Sequence, residues 1–172
     1  MASSSKKLGN IGEGIALNAL KRIGVLMPEE IGTPFTVTGH VRGKMLKGFF
    51  KEPVSGDIRG HRSDGVSILA EVKTHQGKTL PWSILTKHGE HQAARLDQHA
   101  AHAISLLIWV RAYNEVYIMN WPVPGYAPRK SITLEKAEQL SIRTKGDLDM
   151  AGPYENVHIC NCEACTGQKS LF

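Results

Sequence analysis

Gly56-Asp57-Ile58-Arg59-Gly60, followed by Leu69-Ala70-Glu71-Val72-Lys73-Thr74, is the part of the sequence that decides the fold. Ser63-Asp64-Gly65 lies between the two segments, and an Asp-Gly pair supplies the positive φ angles that a tight hairpin turn requires. The sequence therefore predicts a β-hairpin that carries Asp57 on one strand and Glu71 on the other.

The side chains of Glu71 and Lys73 are predicted to share one face of the second strand, because side chains alternate along a strand and Val72 points into the core. Hard divalent cations such as Mg²⁺ bind oxygen ligands, and one or two carboxylates plus substrate phosphate oxygens suffice. Asp57 and Glu71 would be these ligands, and Lys73 would orient a water or neutralise charge at phosphorus. We assign Asp64 to the turn rather than to the ligand set. The arrangement is typical of metal-dependent nucleases, although a Glu-x-Lys pair also occurs on exposed strands without a function.

The composition indicates one domain in a chain of 172 residues, with 41% hydrophobic residues. No apolar run reaches the roughly 18 residues of a membrane helix, and the N-terminus lacks the apolar core of a signal peptide. We therefore expect a cytoplasmic protein with no membrane partner.

The net charge of +5 comes from residues 1–86, since residues 87–172 are balanced. A basic strip leads into the candidate site: Arg42, Lys44, Lys47, Lys51, Arg59 and Arg62. Such a strip neutralises phosphates and binds DNA without sequence preference. The alternative is a solvated edge strand whose lysines discourage aggregation.

Secondary structure is predicted in the order helix, meander, helix, strands. Asn10 is expected to cap a helix that ends at Gly24. Further helices are predicted over 87–103 and from a Thr133 cap to Leu140. Strands are predicted over 35–38, 45–51, 104–110 and 116–119, and residues 121–128 are expected to form a loop. The domain division is a flexible basic tail (1–8), a nuclease domain (9–143) and a turn-rich tail (144–172).

The motifs over residues 9–120 resemble the PD-(D/E)xK nuclease superfamily and, within it, the RecU-type Holliday-junction resolvases. The resemblance rests on four segments in the family's order. They are Gly9-Asn10-Ile11-Gly12-Glu13 with Asn18, Lys47-Gly48-Phe49-Phe50 with Gly56-Asp57-Ile58-Arg59-Gly60, Leu69-Ala70-Glu71-Val72-Lys73-Thr74, and His91-Gln92 with Leu96 and Ile104-Ser105-Leu106-Leu107-Ile108.

This resemblance implies an α/β fold of the restriction-endonuclease type, with a central mixed β-sheet flanked by helices. It also implies a homodimeric, Mg²⁺-dependent endonuclease, with Mn²⁺ as a substitute, that resolves four-way DNA junctions by paired nicks. The compact size is typical of a phage-encoded enzyme. Two alternatives remain open: a nuclease of the same superfamily that cuts duplex DNA in restriction or repair, and a non-catalytic DNA-binding module with a zinc tail.

The same resemblance adds Glu13 and Gln92 as further site residues, and helical spacing adds a stripe of histidines with Arg95. Glu13 would be a third acid of the site, although a carboxylate at a helix N-terminus needs no function. Gln92 would orient water or phosphate, or be a surface residue. His75, His91 and Arg95 are expected to contact DNA, the last two on a helix stripe with His99.

The C-terminal tail contains a set of residues that is typical of structural zinc sites: His158, Cys160, Cys162 and Cys165. Three cysteines in a cytoplasmic protein argue against a disulfide framework. The sequence leaves a structural Zn²⁺ and free or redox-active thiols as the two interpretations of this tail.

Overall fold

The computed structural model describes residues 4–32, 35–40, 46–50, 56–86 and 91–152, with side chains for 11–32, 56–86 and 92–152. The helices are α1 (Ser4–Arg22), α2 (Ser83–Thr86), α3 (His91–Ala100), α4 (Leu134–Leu140) and α5 (Lys145–Met150). The strands are β1 (Leu26–Glu30), β2 (Phe35–His40), β3 (Leu46–Phe50), β4 (Ile58–His61), β5 (Ser67–Thr74), β6 (Thr79–Pro81), β7 (Ile104–Ala112), β8 (Glu115–Asn120) and β9 (Ser131–Thr133).

A five-stranded sheet in the order β1-β4-β5-β7-β8 forms the centre of the fold. Strands β5 and β7 are parallel, and the other neighbouring pairs are antiparallel. Two small antiparallel pairs, β2–β3 and β6–β9, lie outside it. The predicted α/β fold with a central mixed sheet flanked by helices is confirmed.

Each face of the sheet is covered by its own hydrophobic core, and the alternation along β5 assigns residues to the two faces. Ile68, Ala70 and Val72 pack with Leu20 of α1 on one face. Leu69 packs on the other face, where side chains of α3 and α4 complete the core. Residues Ile104 to Val110 of β7 are buried without interruption, as expected for a strand covered on both sides. The odd positions Glu71 and Lys73 therefore belong to the α3 face.

The predicted hairpin is confirmed as β4–β5, with Ile58 opposite Ala70. At its turn Gly65 has φ +86°, and its N–H donates to the carbonyl of Arg62 at 3.0 Å. Asp57 differs from the prediction in one detail, because it directly precedes β4 instead of lying within a strand.

The first helix is longer than predicted. It begins at Ser4, so Asn10 is an interior residue and not the cap, and residues 4–8 start the helix although they were assigned to the tail. The helix continues through Gly9, because one glycine costs only about 1 kcal/mol in a helix that packing stabilises. The predicted end is confirmed, since Gly24 has φ +92° and its N–H donates to Lys21.

The folded unit continues past the predicted boundary at residue 143. Thr144 and Asp147 form a capping box at the start of α5, and Leu148 is fully buried in the core of the α1 face. This Thr-x-x-Asp pattern is a local helix signal that the prediction of a turn-rich tail overlooked. The earlier cap at Thr133 is confirmed, because its hydroxyl accepts from the N–H of Lys136 at 3.3 Å.

Among the helices that the structure describes, none has both the length and the apolar character needed to cross a bilayer.

Candidate active site

Asp57 is held at the point where β4 leaves β5. Its N–H donates to the carbonyl of Ala70 at 2.8 Å, and its carboxylate oxygen Oδ2 accepts from the N–H of Val72 at 2.7 Å. The Ile31 N–H donates to the carbonyl of Asp57 at 2.8 Å. The Asp57 side chain thus replaces a backbone carbonyl as the acceptor for the Val72 N–H of β5. This bond fixes the Asp57 carboxylate beside Glu71, the residue that precedes Val72.

Glu71 is a buried carboxyl group, and among the described residues Lys73 is its one basic partner. Its side chain is 2% exposed, and the ammonium Nζ of Lys73 donates to Oε1 at 2.6 Å. The carboxyl groups of Asp57 and Glu71 lie close enough to hydrogen-bond to each other when one of them is protonated. One ammonium therefore serves two adjacent carboxyl groups.

The pKa values show that this charge balance is incomplete. Burial, followed by the negative charge of Asp57, raises the pKa of Glu71 to about 7, although Lys73 acts in the opposite direction. Burial also raises the pKa of Asp57, against the stabilising effects of the Val72 N–H and of Lys73. Two ionised carboxylates at this position would be stabilised by an additional cation.

Glu13 reaches the same place from α1, where the helix backbone at Gly12 lies against the side chain of Thr74 at the end of β5. A Cβ atom on Gly12 would lie 2.1 Å from the hydroxyl oxygen of Thr74, so any larger residue there would force that side chain to move. Glu13 is half-buried, and burial is the main cause that raises its pKa, followed by the charges of Asp57 and Glu30. Lys73 lowers it. The structure thus brings Glu13 into electrostatic reach of Asp57 and Lys73.

Glu30 is a neighbour of the site that sequence reasoning missed. It is the last residue of β1 and lies opposite Ile58, one position from Asp57. The segment of β1 contains a proline and two glutamates without alternating apolar residues, so no strand signal was visible in it. Only the pairing of β1 with β4 brings Glu30 toward the site.

Gln92 lies in the first turn of α3, on the sheet face that carries Glu71 and Lys73. The chain passes from α3 directly into β7, so the two run in opposite directions and the start of α3 is near the ends of β5 and β7. Its amide oxygen Oε1 is buried and accepts no hydrogen bond from any described residue. Because an unsatisfied buried polar atom costs about 1–3 kcal/mol, this oxygen is a candidate for a contact with water or substrate.

The predicted basic strip is only partly within the described structure. Arg42, Lys44 and Lys51 lie outside the described residues, and for Lys47 in β3 only the backbone is described. Arg59 is exposed and pairs with Glu29, with its Nε at 2.6 Å from Oε1. DNA binding by these residues stays a prediction.

Arg62 has a structural role that the sequence did not indicate. Its guanidinium pairs with Asp64 and also donates to the carbonyls of Asp149 at 3.0 Å and Ala151 at 2.6 Å. These bonds tie the hairpin turn to the end of α5. Since its donors are engaged within the protein, we leave Arg62 out of the DNA-binding surface.

The histidines and Arg95 near the site differ in their surroundings. His75 directly follows β5 and lies half-buried over Gly77, while Arg95 is half-buried on α3. The side chain of His91 is outside the described residues. His99 was expected on a DNA-facing stripe, but its Nδ1 lies 3.0 Å from the hydroxyl of Ser105, and burial lowers its pKa. The stripe prediction is wrong for His99, because this side of α3 faces β7.

The donor set at Asp57 and Glu71 fits a hard divalent cation. Carboxylate oxygens are the ligands that Mg²⁺ prefers, and two of them suffice where substrate phosphate and water add the rest. Within the described ranges no group of three or more His, Cys, Asp or Glu residues is arranged to hold a metal ion. The candidate zinc ligands His158, Cys160, Cys162 and Cys165 lie outside those ranges, so the zinc site stays a prediction.

No protein-family model matches the sequence, and no curated protein gives a significant match. The geometry of Asp57, Glu71 and Lys73 is therefore the main basis for assigning a function.

Proposed function

We propose that the protein is a Mg²⁺-dependent DNA endonuclease of the PD-(D/E)xK superfamily, of the RecU type, with four-way junctions as its substrate. The observation that carries the proposal is the placement of the Asp57 and Glu71 carboxyl groups against each other, with the Lys73 ammonium 2.6 Å from Glu71. Their raised pKa values are those of two buried acidic groups that have Lys73 as their one cation among the described residues.

In this proposal Asp57 and Glu71 hold Mg²⁺, or Mn²⁺ in its place. A divalent cation held there supplies Lewis acidity toward the phosphate and lowers the pKa of a water molecule. Lys73 orients the attacking water or stabilises the charge that develops on the phosphoryl oxygens. Glu13 is a candidate proton acceptor, because a raised pKa makes a carboxylate a stronger base.

Gln92 completes the proposed site from the α3 side. No described residue donates to its buried amide oxygen, which suits a hydrogen bond from the attacking water. Asp57, Glu71 and Lys73 remain the groups that carry the chemistry, and Gln92 is a positioning residue in this proposal.

The restriction-endonuclease-like fold is part of the proposal. A five-stranded mixed sheet with helices on both faces accommodates that fold, and the carboxyl pair lies where β4 begins beside the central strand β5. Sheet architecture alone is shared by many functions, so the proposal depends on the site rather than on the fold.

The choice of a four-way junction follows from the motif resemblance, and substrate symmetry then calls for a homodimer. A junction offers two equivalent strands for paired nicks, and a dimer with twofold symmetry places one site on each. Sedimentation of the purified protein at the concentrations used for cleavage would measure the oligomeric state, for which we expect a dimer.

The experiment that tests the proposal compares cleavage of a four-way junction with cleavage of linear duplexes of the same sequence. We expect paired symmetric nicks in the junction with Mg²⁺, little cleavage of duplex, and none with EDTA. Asp57→Asn should bind the junction without cutting it, because phosphate contacts supply most of the affinity. Equal cleavage rates for junction and duplex would favour a duplex-specific nuclease, and failure to cut any DNA would overturn the catalytic proposal.

A further inference from the structure

An aromatic groove lies on the α3 side of the fold, apart from the carboxyl pair. It is bounded by Trp82 after β6, by Ala93, Ala94 and Asp97 of α3, and by Arg129 and Lys130 before β9. Its volume is about 760 Å³, within the range of roughly 300–1,000 Å³ that is usual for small-ligand pockets. The small alanines of α3 leave this space open opposite the indole ring.

Trp82 is held rigidly by buried neighbours. Its ring stacks on that of Trp121 with a centroid distance of 5.9 Å and an interplanar angle of 29°. It meets the ring of Tyr126 edge-on at a centroid distance of 4.9 Å. Its backbone N–H donates to the carbonyl of Lys130 at 2.9 Å, which brings the basic pair beside it. Trp82 itself is only half-buried, so part of a fixed aromatic surface lines the groove.

Charged and polar groups surround this aromatic surface. Arg129 and Lys130 are exposed, and neither forms an ion pair with a described residue. Arg129 has φ +65°, a left-handed conformation that is costly for arginine and that occurs preferentially at ligand sites. Asp97 accepts from the indole Nε1 of Trp121 at 2.7 Å through one oxygen, and its other oxygen can accept a further hydrogen bond.

We propose that the aromatic groove binds an unpaired nucleobase of DNA. The base stacks on Trp82, an N–H group of the base donates to Asp97, and the flanking phosphates lie against Arg129 and Lys130. Flat aromatic rings next to basic side chains are the combination that single-stranded nucleic acids require. The negative charge of Asp97 disfavours a purely anionic ligand inside the groove, whereas the basic pair lies where a phosphate backbone would pass.

This inference rests on the proposal that DNA is the substrate and identifies the part of the DNA that the protein reads. Helix α3 connects the two places, because Gln92 in its first turn lies on the sheet face that carries Glu71 and Lys73 and the next two residues line the groove. A base that leaves its stack at a branch point would be held at a defined position relative to the cut.

Binding can be measured without cleavage, in the full-length Asp57→Asn protein with EDTA and a short single-stranded oligonucleotide. Trp109 and Trp121 are 0% and 2% exposed, so quenching of tryptophan fluorescence reports on Trp82. We expect quenching on binding by the protein that retains Trp82. The Trp82 variants lack this reporter, so their affinity is measured by the fluorescence anisotropy of a labelled oligonucleotide, with a loss of roughly tenfold expected in Trp82→Leu and retained affinity in Trp82→Phe.

A second variant tests the charges and does not depend on the folding of the Trp82 variants. Arg129→Gln with Lys130→Gln should weaken binding and flatten its salt dependence. The matched control is Lys21→Gln with Arg22→Gln, which removes the same charge from the exposed end of α1 and should leave affinity unchanged.

Absence of binding, or unchanged affinity in the folded Arg129/Lys130 or Trp82→Leu variants, overturns the groove proposal. Cleavage of junctions by the wild-type protein in that case would leave the nuclease proposal standing. If the protein binds DNA through the groove but never cuts it, the groove proposal is supported and the catalytic proposal is overturned.

Discussion

The two ends of the β4–β5 hairpin carry carboxyl groups in opposite electrostatic environments. At the turn, Asp64 pairs with Arg62 at 2.7 Å and accepts the N–H of Val66, and these bonds lower its pKa to about 2. At the open end, burial and mutual repulsion raise the pKa of Glu71 to about 7 and that of Asp57 above its usual value.

The difference separates a structural carboxylate from candidate catalytic ones. Asp64 has the partners that an ionised group needs, whereas Asp57 and Glu71 share one lysine among the residues that the structure describes. A protein that folds for stability alone gains nothing from an unbalanced buried pair, so the imbalance is expected where a cation or substrate binds. The comparison supports the choice of Asp57 over Asp64 as the ligand.

The largest expected effect is on cleavage. Asp57→Asn and Lys73→Ala should each reduce Mg²⁺-dependent cutting by at least about 100-fold, because each removes a charge that stabilises the transition state. Asp64→Asn is the matched control at the other end of the same hairpin and should cut at nearly the wild-type rate. Single-turnover cleavage of a junction measures all three, and an inactive Asp64→Asn beside an active Asp57→Asn would reverse the assignment.

The second effect is on the pH dependence of stability. The pKa of Glu71 is raised from its usual 4.5 to about 7, so the folded protein holds a proton that the unfolded chain releases over this interval. Its stability should therefore fall as pH rises through that window. At pH about 8 without metal, Glu71→Gln should be more stable than the wild type by about 1–3 kcal/mol.

Urea unfolding at pH 5 and pH 8 measures this change, with the exposed Glu138→Gln as a control that should leave the pH dependence unaltered. Mg²⁺ should stabilise the wild type at pH 8 and have less effect on Glu71→Gln, because a ligand of the folded state raises stability only where it binds. A stability difference between Glu71→Gln and the wild type that is the same at pH 5 and at pH 8 without metal would contradict the prediction.

A smaller effect on stability is expected from the bonds by which Arg62 joins the hairpin turn to the end of α5. Arg62→Gln removes the bonds to Asp149 and Ala151 and should destabilise the fold by about 1–3 kcal/mol. Arg59→Gln breaks one exposed pair with Glu29 and should cost less than about 1 kcal/mol. Thermal unfolding compares them, and a loss of cleavage in Arg62→Gln at temperatures where it is folded would indicate a direct role in DNA binding.

The smallest effect concerns Asp64 itself. The folded state lowers the pKa of Asp64 from the usual 3.8 to about 2. The contribution of its charge to the stability of the fold is therefore present above about pH 4 and is lost as pH falls toward 2. Asp64→Asn should lower the melting temperature slightly at pH 7 and leave it unchanged near pH 2. An equal decrease at both pH values would show that the side chain acts through packing and not through its charge.

Local signals account for what the sequence predicted correctly. Gly65 and Gly24 have the positive φ angles that their positions suggested, and Thr133 caps α4. The failures involve partners that are distant in the sequence. Asn10 is not a cap because the helix begins at Ser4. His99 faces β7 because its Nδ1 lies within hydrogen-bond distance of the Ser105 hydroxyl on that strand.

The sequence by itself determined the β4–β5 hairpin and the common face of Glu71 and Lys73, because turn chemistry and side-chain alternation are properties of neighbouring residues. It also assigned Asp64 to the turn, from its place before Gly65. Only the tertiary structure placed the carboxyl group of Asp57 against Glu71 and surrounded Asp64 with donors. The same holds for Glu13, which reaches the site through the contact of Gly12 with Thr74, since packing between distant segments has no local signature.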